Sequence, residues 1–370
     1  MKAIEQFFKR LLLQFIGILH SERKFSPREL PINHLKRILI VRQHDQLGDL
    51  LIATPAIRAV RKKFPNAYIS VVVREYTAPL MWDNPNVDEI IVFYEKLNKW
   101  NFQTAKLFLD QLRRDGGYDC AIVLNTVSRS LSSDIIAFLS KAKFIIGPNH
   151  LKLDYSIPEK IYNVLTPRSP KPQLEIEHNL DIVRAIGVPP DGLEYDLSLD
   201  EDDKLEAEKV HYALKIGAGI IVGVHFGTLD DTRRFPIAKL ARVIDWMKST
   251  QEIEVVLIIG PNELKMRDEL LRTLKSKIIT APVMPLRVAA AFMKKMNLFI
   301  CNDTGTLHIA AALHIPTVSF HSVNDPAVWK PPFDRHIAVR ADDKKITSIS
   351  VDQTIEAIKV QLEHIKSAHY

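Results

Sequence analysis

The run Leu298-Phe299-Ile300-Cys301-Asn302-Asp303-Thr304-Gly305-Thr306-Leu307-His308-Ile309-Ala310-Ala311-Ala312-Leu313 gathers polar side chains at one point of an otherwise apolar segment. Apolar residues lead into Asn302-Asp303, a glycine follows, and small and apolar residues resume, which is the pattern of strand, tight loop and helix. A helix opening on such a loop leaves its first N–H groups without intrahelical partners, at the positive end of its dipole. A phosphate is the natural guest there. Gly305 lets the backbone approach it closely, Thr304 and Thr306 add hydroxyl donors, and His308 lies one short step inside the helix. The same residues also describe an ordinary capped turn, with Asp303 or Thr304 as cap and His308 exposed.

A second reactive position lies near the start of the folded sequence. The apolar run Ile38-Leu39-Ile40-Val41 leads into Arg42-Gln43-His44-Asp45-Gln46-Leu47-Gly48-Asp49. Asp49 is a carboxylate at a strand–helix junction, where it can cap the first helical turn or act as a general base. Asp45 is its nearest rival carboxylate.

These residues need elements to hold them. Apolar runs at 37–42, 68–73, 89–93, 119–124 and 143–146 read as strands, with helical spacing near 103–114 and 130–140. Thr54-Pro55 has the form of a cap and a first helical position, which predicts a helix over 56–64. Pro158, Pro167, Pro170 and Pro172 crowd a stretch without periodicity, 174–186 has helical spacing, and Pro189-Pro190-Asp191-Gly192 breaks the chain again. A second alternation places strands at 220–225, 254–259, 298–301 and 317–320. Its helices fall near 236–249, 263–274, 286–296, 306–313 and 351–367. Such alternation predicts an α/β chain with two doubly wound, Rossmann-like domains around parallel sheets. The expected layout is an N-terminal amphipathic helix and connector over 1–34, a first domain over 35–175 and an interdomain passage over 176–205. A second domain over 206–345 and a C-terminal helix over 346–370 complete it. Ligands of open α/β sheets bind outside the carboxyl ends of the strands, so a central cleft between two such domains is the expected site.

Composition narrows the function. The 370 residues suffice for two domains with their own cores, and 46% hydrophobic with 25% charged residues describes a soluble globular chain. A formal charge of +6 favours anionic partners, but basic residues are interspersed with acids, so no nucleic-acid module is expected. Neither half has G-x-G-x-x-G after its first strand, and G-x-x-x-x-G-K-[ST] is absent, which removes the main support for nicotinamide and P-loop chemistry. No His/Cys cluster has metal-ligand spacing and no D-x-D lies in a suitable loop, so neither metal nor cofactor is expected. Cys120 and Cys301 each close an apolar run and read as reduced core residues. No apolar stretch approaches the ~20 residues that span a bilayer. Ile4, Phe7, Phe8, Leu11, Leu12, Phe15, Ile18 and Leu19 form one helical stripe. It fits a helix packed on the protein or one lying in an anionic membrane interface. Glu5, Lys9 and Arg10 argue against a signal peptide.

Around the 298–313 run, Pro316-Thr317-Val318-Ser319-Phe320, Asp325-Pro326 and Trp329-Lys330-Pro331 complete a D-T-G-x-x-H loop, an alanine-rich helix, a strand and a D-P-x-x-W-x-P tail. Together they resemble the signature of the ADP-heptose–lipopolysaccharide heptosyltransferases, glycosyltransferase family 9. Gly48-Asp49 and Thr54-Pro55-Ala56-Ile57-Arg58 match a second family segment, although Arg42 stands one residue further from Asp49 than in many members. His225-Phe226-Gly227-Thr228 looks like the family's H-x-G segment. Arg233-Arg234-Phe235-Pro236 looks like its K-x-W-P, with arginine for lysine and phenylalanine for tryptophan. Gly260-Pro261-Asn262-Glu263 resembles a further element at a strand end, while 75–215 agrees only in general layout.

The resemblance implies a GT-B architecture and an inverting, metal-independent glycosyltransferase. Asp49 would deprotonate the acceptor hydroxyl, and Arg233 would stabilise the leaving diphosphate as a planar fork where lysine offers a point charge. Glu263 would hold ribose hydroxyls. Gly227, Thr228, Asp303, Thr304, Gly305, Thr306 and His308 would complete the donor site. The implied partners are a nucleotide-diphosphate sugar, ADP-heptose, bound by the second domain, and a lipopolysaccharide core or lipid A-linked acceptor bound by the first. The implied location is the cytoplasm, with peripheral contact at the inner face of the membrane. A nucleotide-sugar isomerase and a non-catalytic nucleotide-sugar binder are the alternatives.

Overall fold

The structure, a computed structural model, describes residues 24–43, 46–151, 161–217, 219–250 and 252–368. The expected N-terminal helix and Asp45 lie outside these residues. The chain divides into two compact units between Asp196 and Leu197, within the stretch read as a passage.

The first unit is built on a parallel sheet of six strands: β1 (Arg37–Val41), β2 (Tyr68–Arg74), β3 (Glu89–Phe93), β4 (Cys120–Val123), β5 (Phe144–Pro148) and β6 (Val164–Thr166). Their order is β3-β2-β1-β4-β5-β6, with Ile38 of β1 paired to Ile69 and Cys120 on either side. Ile38 to Val41 are fully buried, as befits a central parallel strand covered by helices on both faces. β6 was not legible in the sequence, because three residues among prolines carry no period. Phe25 bridges to Val164 at that edge and sets its ring edge-on to Phe144, 5.1 Å between centroids.

The helix expected from residue 56 in fact spans Leu47–Lys63 and runs through Thr54-Pro55. Pro55 has no N–H to give the Leu51 carbonyl one turn back. The Thr54 hydroxyl donates to that carbonyl at 2.7 Å and accepts from the Asp196 N–H at 2.9 Å. The Thr-Pro pair is therefore a repaired helix interior, and the start lies at Gln46, whose N–H donates to the Asp49 carboxylate at 3.2 Å.

The second unit repeats the plan with β7 (Ile220–His225), β8 (Ile253–Leu257), β9 (Ile279–Thr280), β10 (Leu298–Asn302), β11 (Thr317–His321) and β12 (His336–Arg340). The order β12-β11-β10-β7-β8-β9 is that of the first sheet when counted from β7. β9 is two half-buried residues, and β12 is only partly buried, so neither gave a clear apolar run. The helix Glu201–Ala213 buries only Ala207 and likewise lacks a stripe. Its Asp200 cap and Asp203 are clasped by Arg287, whose guanidinium lies 2.6 Å from Asp203 and 3.3 Å from Asp200. The C-terminal helix Val351–Ala368 packs on the helix Ile237–Ser249 and on β11 and β12. Cys120 and Cys301 are both buried free thiols, and burial pushes their pKa values up.

Two buried histidines make this unit sensitive to acid. His321 shares a proton with Ser319 at 2.9 Å, and His336 with Thr317 at 3.0 Å. Burial, ahead of neighbouring charges, pushes His321 down to about 4 and His336 to about 3, from an ordinary 6.5. Between pH 6.5 and those values the unfolded chain binds more protons than the folded one, so stability falls as pH falls. For His321 the loss approaches about 3 kcal/mol. Thermal melts from pH 7 to pH 4 should show a falling melting temperature, and His336→Asn should flatten that slope.

Candidate functional site

In each sheet the strand order reverses beside the first strand, between β1 and β4 and again between β7 and β10, and ligands of open α/β sheets bind outside the carboxyl ends at such a point. The second unit places there the loop after β7, the turn after β8 and the loop after β10.

Asn302, at the end of β10 and 1% exposed, ties these loops together. Its amide nitrogen donates to the Phe226 carbonyl at 2.8 Å, and its amide oxygen accepts from the Phe235 N–H at 2.9 Å. Phe235 then stacks on Phe320, 4.0 Å between centroids and 10° from parallel. Next to it, Asp303 does not cap the helix. Its carboxylate is held by Arg233 at 2.7 Å and Asn324 at 2.7 Å, and the same Arg233 nitrogen reaches the Asp303 carbonyl at 2.8 Å. Arg233 thus braces the loop while its side chain stays 30% exposed.

The helix Gly305–Ala312 begins at Thr304, which makes no side-chain capping bond. The Thr304 hydroxyl turns to the Asn302 carbonyl and to Thr306, 3.0 Å away. Among the described residues the first-turn N–H groups are therefore left without a side-chain acceptor, the geometry that suits an anion. Thr306 also meets Nδ1 of His225 at 3.2 Å, and Nε2 of His225 lies 3.3 Å from the Glu263 carboxylate. Burial raises the Glu263 pKa, but the His225 bond, the Gly260 N–H at 2.8 Å and nearby Arg234 outweigh it and hold the carboxyl below its ordinary value. Gly227 lies tight against this pair: a Cβ there would displace the Glu263 carboxylate from its place. Thr228 accepts the Asp230 N–H at 2.9 Å in the adjoining turn. His308 is buried at 4% exposure within the helix, not exposed on it.

The structure thus brings Gly227, Glu263, Thr304, Gly305 and Thr306 around one helix N-terminus, with Arg233 and Asp303 paired behind it. His225, Asn302 and Asn324 belong to the same constellation. The sequence displayed His225 and Asn302 within quoted segments, but nothing in their spacing told that Asn302 would fasten two distant loops.

In the first unit, Arg42 follows β1 and donates to the carbonyls of Leu124 and Asp49, the latter at 3.2 Å. Gln43 reaches Ser132 at 2.7 Å. Asp49 is half-buried in the first helical turn, one oxygen taking the Gln46 N–H. A second carboxyl shares its surroundings: Glu175, only 2% exposed. Burial raises its pKa and the charge of Asp49 adds to the rise, against Thr126, Arg42 and Arg168. Glu175 opens the helix Glu175–Ala185, too far along the chain for any spacing to connect it with Asp49.

Residues 108–358 match glycosyltransferase family 9 (heptosyltransferase). A lipopolysaccharide heptosyltransferase 3 of Escherichia coli is 25% identical over 310 residues, 80% of this chain and 86% of that protein. The crystal structure of a family 9 glycosyl transferase from Veillonella parvula superposes with a TM-score of 0.78 at 21% identity, covering 93% of this chain and 100% of that one. The E. coli heptosyltransferase WaaC with ADP gives 0.67 at 19% identity, covering 89% and 99%. The two doubly wound units are those of the GT-B fold. An isomerase and a non-catalytic binder give way to a transferase: the chain belongs to glycosyltransferase family 9, the heptosyltransferases.

Proposed function

We propose that this glycosyltransferase moves a heptose from ADP-heptose to a lipopolysaccharide core acceptor, inverting the anomeric centre. The observation that supports a nucleotide-diphosphate donor best is the helix N-terminus after Thr304, left without a side-chain cap and ringed by hydroxyls. The diphosphate rests on the N–H groups of Gly305 and Thr306, with the exposed part of Arg233 meeting its charge. Glu263, kept ionised and fixed by His225 and Gly260, accepts from ribose hydroxyls. Asp49 takes the proton of the acceptor hydroxyl, the oxygen attacks the anomeric carbon, and the bond to the diphosphate breaks with its electron pair leaving on ADP. The charge that develops there is stabilised by donors already in place. Asp303 holds Arg233 in place, and His308 completes the donor site from within the helix. A heptose donor and a lipopolysaccharide acceptor accord with the names of the E. coli relative and of the ADP-bearing WaaC structure. The reaction is assigned to the cytoplasmic face of the membrane; among the described residues no helix is long and apolar enough to cross one.

Mass spectrometry of the products from ADP-heptose and truncated lipopolysaccharide cores tests the reading: a mass gain of one heptose supports it, and donor consumed without transfer rejects it. Transfer should persist in EDTA, since the positive field comes from Arg233 and backbone N–H groups; loss on chelation with recovery on magnesium would refute that. Asp49→Asn keeps the size but cannot take a proton, so kcat should fall ~10²–10⁴-fold with ADP affinity unchanged in calorimetry. Near-normal turnover would move the base to Asp45 or Glu175. Gly227→Ala drives a methyl against Glu263 and should weaken ADP at least about tenfold, with the fold intact by circular dichroism.

A further inference from the structure

After β6 the chain reads Pro167-Arg168-Ser169-Pro170-Lys171-Pro172. Each proline fixes its own φ and biases the residue before it towards extended backbone, so Arg168 is carried on a stiff loop. Among the described residues its guanidinium forms no ion pair with a carboxylate. It lies instead 3.2 Å from Nε2 of His178 and 3.5 Å from Nε2 of His150.

The hydrogen-bonding capacities around this arginine do not match. Nε2 of His150 also lies 3.2 Å from the Thr126 carbonyl, so it carries its proton there and offers Arg168 a donor, not an acceptor. His178 is 6% exposed, and its Nδ1 faces the Gln173 amide nitrogen at 3.1 Å, which is committed as a donor to Asp181 at 2.6 Å. Both ring nitrogens of His178 thus face donors. Burial first, with the charge of Arg168 contributing, keeps both imidazoles below the ordinary histidine value, so they are neutral near pH 7. Among the described residues, an exposed cation flanked by N–H groups with too few acceptors is a place an anion would complete, and a planar guanidinium matches the oxygens of phosphate or carboxylate in pairs. The cluster belongs to the same unit as the proposed base: His178 lies on the helix Glu175–Ala185, which packs on the helix Leu47–Lys63 that carries Asp49.

We propose that Arg168, His150 and His178 form an anion-binding site that receives a phosphate or carboxylate of the acceptor, in the unit that carries Asp49. The assignment to the acceptor rests on the transferase reading above; the anion site itself does not. A stiff loop that holds the arginine ready loses little conformational freedom on binding.

The test uses the full chain with ADP at saturation, so that the donor phosphate site is filled, and inorganic phosphate as probe. Calorimetry should detect phosphate binding to the wild type. Arg168→Gln should weaken it at least about tenfold while leaving ADP affinity and melting temperature unchanged. No binding by the wild type, or equal binding by both, would overturn the site. In transfer assays Arg168→Gln should raise the acceptor KM about tenfold to a hundredfold with donor KM unchanged and kcat little affected, and Arg168→Lys should recover part of the loss. Unchanged acceptor KM beside normal wild-type transfer would overturn the acceptor role while leaving the transferase reading intact. Absence of any wild-type transfer would reject that reading, and the phosphate titration would still decide the site. Phosphatase-treated acceptor separates the sources: a vanished difference between wild type and variant identifies phosphate, and a persistent one identifies carboxylate.

Discussion

The loops at the carboxyl ends of the second unit's strands depend on one buried amide. Asn302 has no apolar surface to contribute to the end of β10, yet it is 1% exposed with both ends of its amide bonded. Its two bonds join the loop after β7 to the segment leading into the helix Ile237–Ser249, and so fix where Gly227 and Arg233 stand. Aspartate in its place could not donate to the Phe226 carbonyl, and leucine would strand both backbone partners in the interior. The pairing of Arg233 with Asp303 then follows, because the arginine's segment is already anchored two residues on at Phe235.

The two halves use the same sheet order but opposite electrostatics at the same topological position. In the second unit the acidic residue before the helix is drawn back by Arg233 and Asn324, and the threonine at the cap position bonds elsewhere, so the helix N-terminus has no side-chain cap from either. In the first unit Asp49 lies inside the first turn and takes a backbone N–H itself. A negative charge in the first turn of a helix is favoured by the helix dipole. One sheet plan thus yields an uncapped helix N-terminus in one unit and a carboxylate within the first helical turn in the other.

Most strands were legible because central parallel strands are buried on both faces and read as unbroken apolar runs, as 38–41 and 298–301 do. The edges were not: β6, β9 and β12 are short or half-covered and leave no run to see. The start of the helix Leu47–Lys63 was misplaced because Thr-Pro is equally a cap signal and, with the threonine hydroxyl on the Leu51 carbonyl, a tolerable interior. The strand, loop and helix around residues 298–312 could be read from their segment, since such a turn keeps its pattern local. Asn302 as a fastener and Glu175 beside Asp49 could not, because each acts on partners brought near only by the fold.

The exchange of lysine for arginine at residue 233 has a structural reading. One guanidinium nitrogen bonds both the carbonyl and the carboxylate of Asp303, which leaves the rest of a rigid, delocalised cation to face outward. An ammonium making the same two bonds would have a single donor left and would sit drawn in as a point charge. Arginine can therefore brace the loop and still present charge to a ligand. His321, lying 4.0 Å from the same carboxylate, is kept neutral by burial, so Asp303 has Arg233 as its charged partner there and a hydrogen bond from Asn324. Were His321 protonated, it would compete for Asp303 and loosen the hold on Arg233. Its depressed pKa keeps the loop in one state across the neutral range.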